Sequence, residues 1–164
     1  MLPPRPRSLL PAAATALLWG AAASAQGIGF GQGDFDRSAP VEVSAENLTV
    51  DQDTGRAVLT EDVVIIQGDL RLSAREVVVD YATIDGNRRI ERLEATGEVL
   101  LVAGEDAAEG EYALYTLESG DIVMTGDVVV TQDGEGTVAG DRLEVNLDTG
   151  AGTVTGRVRT VLQP

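Results

Sequence analysis

A phrase of nine residues recurs four times along this chain, at intervals of about 30 residues, and constrains the fold more than any single motif. Its clear copies are Val43-Ser44-Ala45-Glu46-Asn47-Leu48-Thr49-Val50-Asp51, Leu72-Ser73-Ala74-Arg75-Glu76-Val77-Val78-Val79-Asp80 and Val138-Ala139-Gly140-Asp141-Arg142-Leu143-Glu144-Val145-Asn146. A looser copy is Ala107-Ala108-Glu109-Gly110-Glu111-Tyr112-Ala113-Leu114-Tyr115. Units repeating at such a period cannot bury an apolar face alone, so they stack on their neighbours.

A second phrase falls between the copies of the first. It reads Thr60-Glu61-Asp62-Val63-Val64-Ile65-Ile66-Gln67, Thr96-Gly97-Glu98-Val99-Leu100-Leu101-Val102 and Thr125-Gly126-Asp127-Val128-Val129-Val130-Thr131-Gln132, with a truncated version at Val154-Thr155-Gly156-Arg157-Val158. Short Val/Leu/Ile runs bounded by Gly, Asp and Thr are strand signals. The two phrases together predict a strand pair repeated along the chain.

The first phrase also carries a change of parity. Apolar residues alternate as Leu72 and Ala74, then slip by one to Val77 and Val79; Val43, Ala45 to Leu48, Val50 and Val138, Gly140 to Leu143, Val145 do the same. With a side-chain period of two, the slip reverses the buried face unless a bulge or corner absorbs it. Corners are expected at Glu46-Asn47, Arg75-Glu76 and Asp141-Arg142, so the sheet should fold over on itself. Gly-containing turns at Asp51 to Gly55, Asp85-Gly86-Asn87, Glu118-Ser119-Gly120 and Asp148-Thr149-Gly150 separate the strands. No stretch after residue 26 sustains a helical apolar period. The expected class is all-β, without disulfides, because the chain has no Cys.

The first 25 residues differ in kind. Arg5 and Arg7 precede a short apolar run from Leu9 to Trp19, and Ala23-Ser24-Ala25 forms an A-x-A cleavage site, the pattern of a secretory signal peptide. The apolar run is short for a span and is broken by Pro11 and Gly20. Residues 26–38 carry Gly27, Gly29, Gly31 and Gly33 and read as a flexible leader, which Ile28, Phe30 and Phe35 interrupt and through which it could dock. Residues 39–164 form the folded domain. Loss of the signal peptide leaves 10 Arg against 27 acidic residues, a net charge of −17, which argues against nucleic acid as a partner.

Several chemistries are excluded. With no His, Cys or Lys, the chain lacks the commonest general base, the thiol and amine nucleophiles and the usual zinc ligands. No catalytic residue, metal ligand or cofactor site is assigned. The two Asp-Thr-Gly triplets, 53–55 and 148–150, occupy turn positions, and only 14 residues follow the second, too few for the rest of a protease lobe. Asp51, Asp53 and Asp62 mimic three places of a calcium loop, but Gly55 and Arg56 stand wrongly for it.

Parity nominates an interior lining. One set is Leu59, Val63 and Ile65, aligned with Ala95, Val99 and Leu101 and with Met124, Val128 and Val130; the first phrase adds Val50, Val79, Leu114 and Val145, with Tyr112 as a broader surface. These residues can pack a closed core or line a groove that removes acyl chains from water, at roughly 25 cal/mol per Å². The terminal strands, near Val41 and Val43 and from Val154 through Val158 to Val161, should present unpaired edges open to strand addition.

The Ser-Ala-x-x-Val/Leu-x-Val-Asp phrase, the Thr-Gly-Asp/Glu-Val phrase and the string Leu93-Glu94-Ala95-Thr96-Gly97-Glu98-Val99 resemble the OstA-like periplasmic proteins, the LptA-type bridge of lipopolysaccharide transport. The resemblance covers Ala39 to Gln163. It implies an open, slightly twisted antiparallel β-jellyroll in the periplasm of a Gram-negative cell. It further implies that the lining binds the acyl chains of lipid A. Edge strands would join copies head to tail, or join the inner-membrane transport complex and the outer-membrane translocon. The chain departs from the family in lacking Lys and in ending soon after the last repeat. A non-catalytic exported β-solenoid or adhesin-like module is the rival expectation, and a bound amphiphile would separate the two.

Overall fold

The computed structural model describes residues 25–31 and 35–162, so the expected signal peptide lies outside the described residues apart from Ala25. Among the described residues, eleven strands form one antiparallel sheet. Its body is six consecutive neighbours: β4 (Arg56–Gln67), β5 (Leu70–Ile84), β6 (Asn87–Ala103), β7 (Asp106–Thr116), β8 (Asp121–Gln132) and β9 (Gly136–Asn146). Both margins are broken strands. On one side β2 (Glu42–Ser44) and β3 (Asn47–Asp51) share β4; on the other, β10 (Ala151–Thr155) and β11 (Arg159–Leu162) share β9.

The break follows a line of corners across the whole sheet. The register shifts between Thr60 and Val63, Ser73 and Glu76, Thr96 and Val99, Glu109 and Tyr112, and Thr125 and Val128. On alternate strands two consecutive residues take positive φ at the corner: Glu61 and Asp62, Gly97 and Glu98, Gly126 and Asp127, and, at the margin, Gly156 and Arg157. The corners expected in the first phrase are present. The left-handed residues, however, belong to the facing second phrase, where Gly takes the first place of three of the four pairs at little cost and Glu61 and Asp62 fill both places of the other. Backbone bonds from Glu46 N to Glu61 O (3.0 Å) and from Asp141 N to Gly156 O (2.9 Å) close the corners at the two margins.

Folding along this line brings two half-sheets face to face, and their facing side chains make the core. On one half the rows run Ala57-Val79-Leu93-Tyr115-Ile122-Val145 and Leu59-Val77-Ala95-Ala113-Met124-Leu143-Val154. On the other the main row is Ile65-Leu72-Leu101-Ala108-Val130-Val138. All of these are buried. The walls come close at Gly140, where a Cβ would stand 2.5 Å from Val154 Cγ1.

The leader is not flexible throughout: Gln26–Gly29 forms β1, paired with β10, and Phe30 is fully buried. Its apolar Ile28 and Phe30 outweigh the entropy of its glycines once a partner edge is available. The Asp-Thr-Gly triplets are turns, as expected: Asp51 Oδ1 accepts from Asp53 N and Thr54 N, and Asn146 Oδ1 accepts from Thr149 N.

Candidate functional site

Among the described residues, the space between the half-sheets gathers most of the residues nominated as lining. Leu59, Val63, Ile65, Val79, Ala95, Val99, Leu101, Met124, Val128, Val130 and Val145 all project into it and are buried there. Val50 projects to the same side, opposite Ala57, but stands 51% exposed at the β3 margin.

Tyr112 and Leu114 do not join the lining. Leu114 pairs with Glu94 and Val123 on the outer face, and Tyr112 lies on that same face, where partial burial and the Glu94 carboxylate raise its phenol pKa. Ala113 and Tyr115 take the inward places. The loose third copy of the phrase starts at Ala108, opposite Leu101 and Val130, rather than at Ala107. A one-residue slip moves every side chain to the other face. Small residues had hidden the register, since Ala108 stands in the row of Leu72, and Gly110 in that of Ala74.

The two ends of the trough differ. At the β2–β3 margin, Val43 faces Ile65, Leu48 faces Leu59 and Val50 faces Ala57, so the apolar rows run out to an uncovered end. Leu48 is 62% exposed there. Val41, just before β2, packs partly against the core, and Val43 lies on an outer edge that no described strand pairs. At the opposite margin the open edge expected at Val154 is corrected: β1 pairs with β10 along its outer side, and the Val154 side chain is buried in the core. Val158 lies between β10 and β11 and leans on the core. The outer edge of β11 is the uncovered one, and Val161 and Leu162 are exposed along it.

Polar groups cluster along the mouth, where the half-sheets part on the side away from the corners. Tyr115 donates its hydroxyl to Gln67 Oε1 at 2.9 Å across this gap. Burial pushes the Tyr115 phenol up to about 12, with Asp148 adding to the shift and Arg37 opposing it. Arg37 pairs with Asp148 (Nε to Oδ1, 2.7 Å) and donates to the Glu118 carbonyl. Sequence reasoning missed Gln67 and Gln132. The available signal was their recurrence at one place of the second phrase, on the inward parity of Ile65 and Val130.

The profile of a family described as LptA/(LptD N-terminal domain) LPS transport protein matches residues 42–151. The chain belongs to this family. An uncharacterised protein of Rhizobium meliloti (strain 1021) is 30% identical over 133 residues, covering 76% of this chain and 72% of that one. Among solved structures, the chain resembles LptH of Pseudomonas aeruginosa, the LptA-homologous periplasmic component of a lipopolysaccharide transport device. That likeness has a TM-score of 0.70 at 21% identity and covers 79% of this chain and 99% of that one. The open antiparallel β-jellyroll expected of an OstA-like family member is thus the fold of this chain.

Proposed function

We propose that this family member works in the periplasm, exported by its cleaved signal peptide, and shelters the acyl chains of lipopolysaccharide between its half-sheets. The observation that carries the reading is the uncovered end at β2–β3. There Val43, Leu48 and Val50 continue the buried rows into solvent. A soluble sheet ordinarily protects such a margin with charge or Pro, so an apolar, unpaired one suits continuation into another jellyroll. Stacked in that way, the trough becomes a covered path for apolar chains between the inner-membrane transporter and the outer-membrane translocon, with the acidic exterior in water.

Catalysis has no part in this work. Apolar side chains recognise acyl chains by area removed from water, and backbone N–H and C=O groups at the margins recognise a partner strand. Mass spectrometry of lipid carried by the protein purified without detergent tests the reading. Lipid A species at a fixed stoichiometry are expected. Protein that comes away free of amphiphile and takes up none would favour a structural module instead.

A further inference from the structure

The three polar side chains buried among the described residues, Gln67, Asp106 and Gln132, all hold one part of this chain. Gln132 Nε2 donates to the Gly29 carbonyl at 2.5 Å, and Asp106 Oδ2 accepts from Gly31 N at 2.9 Å. Gln67 Nε2 donates to the carbonyls of Arg37 (3.0 Å) and Ala39 (3.2 Å). Buried polar groups require partners, and here each of the three finds one in main chain of the segment before β2, while Gln67 Oε1 takes the Tyr115 hydroxyl. The mouth of the trough is therefore built to grip the main chain of this segment, as strand at Gly29 and as a turn from Arg37 to Ala39.

The fit at β1 is specific. Ile28 lies opposite Gly152, where a Cβ would stand 2.9 Å from Ile28 Cγ1, so only glycine leaves room for it. Phe30 has no exposed surface, and its N–H donates to the Gly150 carbonyl at 2.8 Å. Gly31, at φ +63°, passes against the Ala103 methyl, where a Cβ would stand at 2.8 Å. One short stretch thus fills apolar space between the half-sheets and also covers the outer edge of β10.

We propose that Gln26–Gly31 is a releasable strap, an internal competitor both of the acyl chains and of a strand from a second copy that would add to β10. The proposal rests on the acyl-chain reading of the trough. A four-residue margin strand with two glycines is the kind of element that opens ahead of the rest of a fold. Its release vacates the place of Phe30, the hollow over Gly152 and the outer N–H and C=O groups of β10 together. Lipid loading and head-to-tail stacking are then linked. Each favours the strap-free state, and each is weakened in proportion to how seldom that state is populated. The second copy supplies its uncovered β2–β3 margin, whose Val43, Leu48 and Val50 extend the rows of the first.

A disulfide across the Gly27–Thr153 pair tests this. The chain has no Cys, the two residues are direct cross-strand partners, and a Cβ at Gly27 meets nothing nearer than the Gly152 carbonyl at 4.0 Å. The bridge therefore locks the strap without touching the lining. Binding of fluorescein-labelled rough lipopolysaccharide is measured for the exported Gly27→Cys/Thr153→Cys protein, oxidised and reduced. The reduced form should bind as the wild type does. The oxidised form should bind about ten-fold more weakly or worse and stay monomeric in sedimentation. A second variant, Gln132→Leu, frees the Gly29 carbonyl and should tighten binding. Equal binding by the oxidised and reduced forms would overturn the strap while leaving the acyl-chain reading intact. Absence of binding by wild type and reduced protein alike would overturn that reading, and the strap as lipid competitor with it.

Discussion

Tyr115 and Gln67 lie 48 residues apart in sequence and meet at 2.9 Å across the mouth of the trough, joining one half-sheet to the other. The same Gln67 amide uses its Nε2 to hold the carbonyls of Arg37 and Ala39. One side chain therefore ties three parts of the fold: the end of β4, the middle of the sheet and the segment leading into β2.

This relationship predicts a pH dependence. Tyr115 keeps its proton up to about 12 in the folded protein, against about 10 in an unfolded chain. Between those values the unfolded state releases the proton more readily, so the contribution of Tyr115 to stability is level below pH 10 and falls as pH rises towards 12. The loss is about 2–3 kcal/mol across that window, at about 1.4 kcal/mol per pH unit. Urea unfolding from pH 8 to 12 reads it. Tyr115→Phe should remove most of the slope and cost about 1–3 kcal/mol at neutral pH, by leaving Gln67 Oε1 unpaired. An undiminished slope in that variant would assign it to other groups.

Parity makes a second prediction. Leu101 lies in the middle of the row from Ile65 to Val138 with no exposed surface, so Leu101→Ala should destabilise by about 2–5 kcal/mol. Leu48→Ala, on the same side of the sheet but at the uncovered end, should change monomer stability by no more than about 0.5 kcal/mol. Denaturant midpoints for the two variants decide this. Similar costs at both positions would contradict the placement of the open end.

The corners make a third. Gly126 holds φ +88°, and a Cβ there would stand 2.6 Å from Glu111 Cβ. Gly126→Ala should cost about 1–2 kcal/mol, from the left-handed backbone alone, before any relief of the collision. Gly86, in an open hairpin turn with nothing within 4 Å of its Cβ position, shares the positive φ and isolates that backbone contribution. Equal thermal shifts for Gly126→Ala and Gly86→Ala would show that the close approach at the corner does not matter.

Much of this was legible in the sequence, because alternation in a two-residue period is a direct record of which face is buried. Val63-Val64-Ile65 and Val128-Val129-Val130 gave the inward residues without ambiguity, and the slip between Ala74 and Val77 announced the corner. The third copy failed because Ala108 and Gly110 are too small to mark a face, so Tyr112 and Leu114 took the inward places that belong to Ala113 and Tyr115. The leader was illegible for a different reason. Four glycines between scattered apolar residues have no period, and the partner that orders Ile28 and Phe30 lies more than 120 residues away at β10. Long-range pairing of a short margin strand leaves no local trace.

The uncovered margin makes a fourth prediction. Val50→Lys places a charge at the apolar end without entering the core, since Val50 is already half exposed. Sedimentation velocity should show weaker head-to-tail association, with monomer stability changed by about 0.5 kcal/mol or less. Unchanged association would remove the β2–β3 margin as a stacking surface.

The central claim is that acyl chains occupy the space between the half-sheets, and site-specific photo-crosslinking in cells tests it most directly. A photoreactive residue at Ile65 or Val130, both buried in the inward row, should capture lipopolysaccharide. One at Arg75, exposed on the corner and paired with Glu98, should not. Capture confined to the inward positions is the predicted result; equal capture at Arg75, or none at Ile65 and Val130 in protein that remains folded, would contradict the account.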